Sequence, residues 1–309
     1  MRAVAVFACA LVFGSPLAAK AGVCRAWSPP ATIGTLSADP IDEASGLEAS
    51  RAFPGRLYHN NDSGDELRFY ITGMSGGGVR TVDLKGPKPK DIEDMSLGPC
   101  GKGTCLYLGD IGDNPANRSE VVFTLVKEKA KFDDKEKPHR VIRARYPDGA
   151  HNAEAFAVHP NGDLFLVTKP SDAKAAAPGP ALVYRLTANQ LRAEDGVQVF
   201  AKVGEIDLPR LLTDLPFYGW IATGLDISAD GKRAVLLTYM AVIELGFDLT
   251  VGVPAKLTLG QTYSVFRAPP LAQQEAIAWL PDDSGFLYDS EVARGAKSAP
   301  LNRVVCASR

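Results

Sequence analysis

Histidine is scarce, and the four present, His59, His139, His151 and His159, form no H-x-x-x-H pair. That excludes a helix-borne two-histidine metal site of the zinc-hydrolase kind. No block of lysine and arginine appears, and a formal charge of -2 argues against a nucleic-acid partner. After residue 21 no run is apolar and long enough to cross a bilayer as a helix. An EF-hand is missing as well, because no acidic loop has its spacing and its closing glutamate. A single G-x-S-x-G match, Gly73-Met74-Ser75-Gly76-Gly77, lies between two strand-like runs with no helix after it. It reads as a glycine-rich hairpin turn rather than a nucleophile elbow.

What is present is globular: 309 residues, 46% hydrophobic and 23% charged. Arg2, the apolar run Ala3 to Leu17 and the small-x-small triplet Ala19-Lys20-Ala21 have the form of an export signal. The expected organisation is a signal peptide over residues 1–21 and a single domain over 22–309. The expected location is secreted or periplasmic. Cys9 would leave with the signal, and an even set remains: Cys24, Cys100, Cys105 and Cys306. In an oxidising compartment these suggest two disulfides. Three pairings are open; Cys100–Cys105, around Gly101 and Gly103, with Cys24–Cys306, tying the chain ends, is preferred.

Five segments repeat one form. A polar residue precedes a short strand with small and apolar residues, then a turn and a second apolar strand. The first strands are Ser45–Ala49, Glu93–Leu97, Glu154–Val158, Thr223–Ile227 and Glu275–Trp279. Turns such as Asn161-Gly162 and Asp230-Gly231 follow, and these are strong hairpin signals. Third and fourth strands fit after each pair, the fourth of the third unit over Val197 to Val203. Lys127 to Lys137 reads as a solvated charge run, and Ser171–Pro180 as an Ala/Pro-rich loop. The fifth unit runs out of chain, and Ala31–Leu36 is an obvious donor for its missing strand. The fold expected is all-β, a β-propeller of five blades with six as the alternative, its ring closed by an N-terminal strand. Cys24 and Cys306 would then meet on the seam.

In a propeller the first strand of each blade lines the central channel. Its start and the end of the second strand open on one face. That face collects Glu93, Glu154 and Glu275 with Asn61, Asp62, Asp110, Lys169, Tyr239 and Glu291; Asp113 and Asn114 stand close by. Glutamates converging there repel one another and need a cation, a shared proton or a basic partner. Lys169 is the best basic partner. Calcium is the natural cation, and Glu93, Glu154 and Glu275 are its expected ligands. His59 and His151 also fall near this mouth as candidate ligand contacts, and His159 reads as structural.

The pattern Asp91-Ile92-Glu93-Asp94, then Gly109-Asp110-Ile111-Gly112-Asp113-Asn114 with Arg118 following, resembles a group of exported bacterial β-propeller proteins. Similarity extends through Glu154-Ala155, Val167-Thr168-Lys169 and Glu275-Ala276-Ile277. The group often has tryptophan where this chain has Ile92. The resemblance implies the fold and export, and it brings no reaction with it. Function is therefore expected from the mouth: binding of a small-molecule or polymeric ligand, through calcium, by a monomer. The alternatives are a carboxylate-based or metal-dependent hydrolase of phosphoesters or glycans, and a protein-interaction scaffold.

Overall fold

The computed structural model describes residues 22–169 and 179–309. The expected signal segment and most of the Ser171–Pro180 loop lie outside the described residues. Among them the strands form five sheets. Blade I runs outward through Ala44–Ala49, Arg56–Asn61, Arg68–Gly73 and Arg80–Leu84. Blade II has Ile92–Cys100, Gly103–Asp110, Val121–Lys127 and Arg140–Arg145. Blade III has Ala153–Val158, Leu164–Thr168, Ala181–Leu186 and Ala201–Ile206. Blade IV has Ala222–Ile227, Ala234–Thr238, Ala241–Leu245 and Tyr263–Arg267. Blade V has Ala276–Trp279, Gly285–Asp289 and the long Ser298–Ser308.

The innermost strands neighbour one another in blade order, and that of blade V lies against that of blade I. The ring is closed with five members, so the six-bladed alternative falls. Small residues begin these strands because backbones crowd at the axis. A Cβ on Gly224 would sit 2.7 Å from the Glu275 carbonyl oxygen.

The second strands read as unbroken apolar runs because each is buried on both faces. In blade III, Leu164 and Leu166 enter the core shared with blade II, while Phe165 and Val167 enter the core shared with blade IV. Blade II repeats this: Leu106 and Leu108 face blade I, Cys105 and Tyr107 face blade III. The period of two along a strand thus serves two interfaces at once. Further apolar clusters fill the junctions of blade IV with V and of blade V with I.

The N-terminal strand behaves as expected. Ala31–Ser37 pairs antiparallel with the first half of Ser298–Ser308, and Ala26–Trp27 pairs with the second half. That double pairing accounts for the length of the last strand, 11 residues. Both preferred disulfides are present, Cys24–Cys306 on this seam and Cys100–Cys105 at a hairpin end. The amide of Cys24 also donates to the buried Glu244 carboxylate of blade IV at 2.6 Å, so the segment ties three stretches together.

Two outer strands differ from expectation. The run Val197–Val203 is not one strand. Val197–Val199 joins the outer edge of blade II in parallel with Arg143–Arg145, and Ala201–Ile206 then completes blade III. Phe200 separates them: it turns into the core between blades II and III and stacks on Tyr146 at 5.1 Å. The charge run Lys127–Lys137 is likewise not a free turn. Lys135–Glu136 pairs in parallel with Asp83–Leu84 of blade I. Phe132 is buried there against Phe69, at 5.2 Å, and Tyr58. In each case one buried aromatic anchors the segment, and the added strand covers a sheet edge.

Candidate functional site

The strand-start residues reach the channel mouth by a shared device. In blades I to IV the pairing of first and second strands slips by one residue, at Ser45, Glu93, Glu154 and Thr223. A bulge leaves one residue unpaired and re-aims its side chain. In blade II it allows neighbours that would otherwise point to opposite faces to share one. Glu93 joins the mouth, while the buried Asp94 accepts hydrogen bonds across the channel from the amides of Phe156 at 2.9 Å and Leu225 at 3.3 Å. The two acidic residues of this motif thus part company. Asp94 stitches blades II, III and IV together, and Glu93 is free to face a ligand. Ser45 and Thr223 also act as stitches, their hydroxyls donating to the carbonyls of Glu93 and Gln274.

Two groups of carboxylates gather at the mouth. Oxygens of Asp62, Asp91 and Glu93 lie within 4.8 Å of one another, and so do those of Asp62, Glu275 and Glu291. Asp62 belongs to both. The Asp91 carboxyl lies beside Asp62, and the Glu291 carboxyl lies beside Glu275. Burial, with Asp62 as the strongest neighbouring charge, holds the Glu93 carboxyl well above the usual range. Burial, reinforced by Glu291 and Asp62, pushes Glu275 up to about 8, and burial with Asp62 pushes Asp91 up to about 6. The Tyr239 hydroxyl donates to Glu275 Oε1 at 3.0 Å, and Gln273 Nε2 donates to the same oxygen at 3.1 Å and also to Glu291. Glu275 Oε2 has no hydrogen-bond partner, although the residue is 3% exposed.

Gly112 explains the second motif. A Cβ there would lie 2.2 Å from both Asp91 Oδ2 and Glu93 Oε1, so only glycine lets these carboxylates rest against the loop. The amides of Ile111 and Gly112 hold the Asp91 carbonyl at 3.1 and 3.2 Å. The remaining motif residues build the support. Arg118 Nη1 donates to Asp110 Oδ1 and to the Gly112 carbonyl, each at 2.7 Å, and the Arg118 amide donates to Asp113 Oδ2. Asp110 also accepts from the amides of Lys90 and Asp91. Asn152 bridges the Asp113 amide and the Asn114 side chain.

The expected mouth residues therefore divide. Glu93, Glu275, Asp62, Glu291 and Tyr239 come together. Glu154 stands outside both carboxylate groups, paired with the Lys169 ammonium. The three-glutamate set Glu93, Glu154 and Glu275 is not the set that gathers, because Lys169 answers Glu154 and Asp62 takes its place. Asp110, Asp113 and Asn114 face Arg118 and Asn152 as scaffold. Asn61 is turned away, its amide donating to the Pro40 carbonyl at 2.9 Å and to Asp42. His59 is fully buried, bonded to Thr72 at 2.9 Å; burial lowers its pKa to about 3. His151 bonds to Asp148 and Tyr184 away from the carboxylates, and His159 holds the Gly231 turn. Asp91, Gln273 and Gly112 belong to the site and were not singled out from sequence. Asp91 and Gly112 sit inside the motifs already noted; Gln273, two residues before Glu275, gave no signal.

No family model matches the chain, and no curated protein matches it. Among solved structures it is similar to a chain of a nidogen/laminin complex, at TM-score 0.46 and 12% identity, over 81% of this chain and 73% of that one. It is also similar to the Pan2 WD40 domain of Neurospora crassa, at TM-score 0.37 and 8% identity, over 86% and 64% of the respective chains.

Proposed function

We propose that the protein is a ligand-binding propeller whose acidic mouth takes a divalent cation, calcium by its chemistry, and holds a small or polymeric ligand through it. The observation that carries this is the double carboxylate cluster sharing Asp62. An oxygen-only donor set with several carboxylates suits a hard cation of flexible coordination. Asp91 and Glu93, pressed against Gly112, with Asp62, are the residues proposed to hold it. A bound cation would favour the ionised carboxylates, so binding should release protons and weaken as pH falls through about 6, where Asp91 takes up its proton. The two disulfides support an oxidising compartment, and we propose secretion or a periplasmic location.

The test is calcium titration of chelator-stripped protein beside metal analysis of freshly purified protein. Asp62→Asn should lower the affinity at least about 10-fold, as loss of a charged ligand does. A stripped wild-type protein that takes up no calcium at pH 8 would end the metal reading.

A further inference from the structure

Beside the carboxylates, on the blade IV side, lies a cavity of about 270 Å³. Tyr218, Tyr239, Met240, Pro270, Leu271 and Gln273 line it. Two of these belong to the mouth as well: Tyr239 and Gln273 both donate to Glu275. The short helix Phe217–Trp220 brings Tyr218 to the rim, 65% exposed, with its ring edge-on to Tyr239 at 6.3 Å. The exposed aromatics among the described residues are Tyr218 and its neighbour Phe217. An apolar, aromatic hollow thus lies beside Tyr239 and Gln273, the two donors to Glu275 Oε1, while the other oxygen, Oε2, has no hydrogen-bond partner.

We propose that this cavity and the Glu275–Glu291 pair form a binding site for an organic cation, an amine carried on an aromatic or branched aliphatic body. The charge balance selects the occupant. Glu275 feels Glu291 and Asp62 as like charges, and the Lys169 ammonium, paired with Glu154, offsets them only in part. An alkylammonium supplies up to three donors and a positive charge, which answers the free oxygen and the carboxylate repulsion together. The faces of Tyr218 and Tyr239 attract the same charge, and Met240, Pro270 and Leu271 take the apolar body. A neutral ligand would leave the carboxylates unanswered, and an anion would add to their repulsion. This goes beyond the metal reading, which rests on Asp91, Glu93 and Asp62; the two share only Asp62, so Asp91→Asn and Glu291→Gln tell them apart.

The experiment is calorimetric titration of the intact domain in chelator with phenethylamine, its neutral isostere phenethyl alcohol as control, and a separate calcium titration. The amine should bind saturably, and the alcohol at least about 10-fold more weakly. Glu291→Gln, which keeps an acceptor for Gln273, should weaken the amine about 10-fold, and Tyr218→Ala about 2- to 5-fold. Asp91→Asn should spare the amine while reducing calcium uptake. The proposal is overturned if the alcohol binds as tightly as the amine, or if both Glu291→Gln and Tyr218→Ala leave the amine unaffected. Absence of saturable amine binding up to about 10 mM overturns it too. Calcium uptake without amine binding would end this proposal alone, and the reverse pattern would end the metal reading alone.

Discussion

Glu275→Gln is the substitution whose consequence follows most directly from the site. In the folded protein this carboxyl titrates near 8, raised by burial and by the charges of Glu291 and Asp62, against an ordinary value of 4.5. The folded state therefore binds more protons than the unfolded chain between those values. The resulting stabilisation is complete below pH 4.5 and is lost as pH rises through about 8. Its slope inside the window is about 1.4 kcal/mol per pH unit for one proton, or roughly 5 kcal/mol across it. The titration is shared between Glu275 and Glu291, so the macroscopic slope is the quantity to measure. Glutamine keeps an acceptor for Tyr239 and Gln273 but carries no charge at any pH. Urea unfolding from pH 5 to 8.5 in chelator should show wild-type stability falling with pH. The variant should lose about one proton's worth of that slope and be the more stable protein at pH 8. Parallel profiles for the two proteins would refute the assignment of a proton to this cluster.

Three further outcomes are expected. Replacing both Cys24 and Cys306 by serine frees a crosslink spanning 282 residues and should cost roughly 5 kcal/mol in the chain-entropy limit, read from urea unfolding. Gly112→Ala places a methyl where the Asp91 and Glu93 carboxylates lie; it should cost about 1–3 kcal/mol, and calorimetry should show calcium uptake lost. Phe200→Ala should cost about 3–5 kcal/mol and, in hydrogen exchange, release the amides of Val197–Val199 before those of Ala201–Ile206.

The repeating unit was legible because its signals are local. Asn161-Gly162 and Asp230-Gly231 mark hairpins on their own, and the unpaired fifth unit pointed to Ala31–Leu36. The borrowed edge strands were not legible, because Phe132 and Phe200 act through partners far away in sequence. At the mouth, polarity at the strand starts brought out Glu93 and Glu275. Nothing local distinguished Glu154, whose partner is Lys169, or foretold that Asp110 and Asp113 would be consumed by Arg118. Strand periodicity says which face a residue is on. It does not say which of several nearby charges will answer it.

The way blade V is completed bears on how the molecule is made. Ribosomes deliver Ala26–Trp27 and Ala31–Ser37 long before their pairing surface, Ser298–Ser308. The leading stretch must therefore wait, unpartnered, while four sheets assemble behind it. Cys100 meets Cys105 within one hairpin and can oxidise at once, whereas the mate of the Cys24 thiol is made 282 residues later. Until then that sulfur is open to wrong partners, which is where a disulfide-shuffling catalyst would serve this chain.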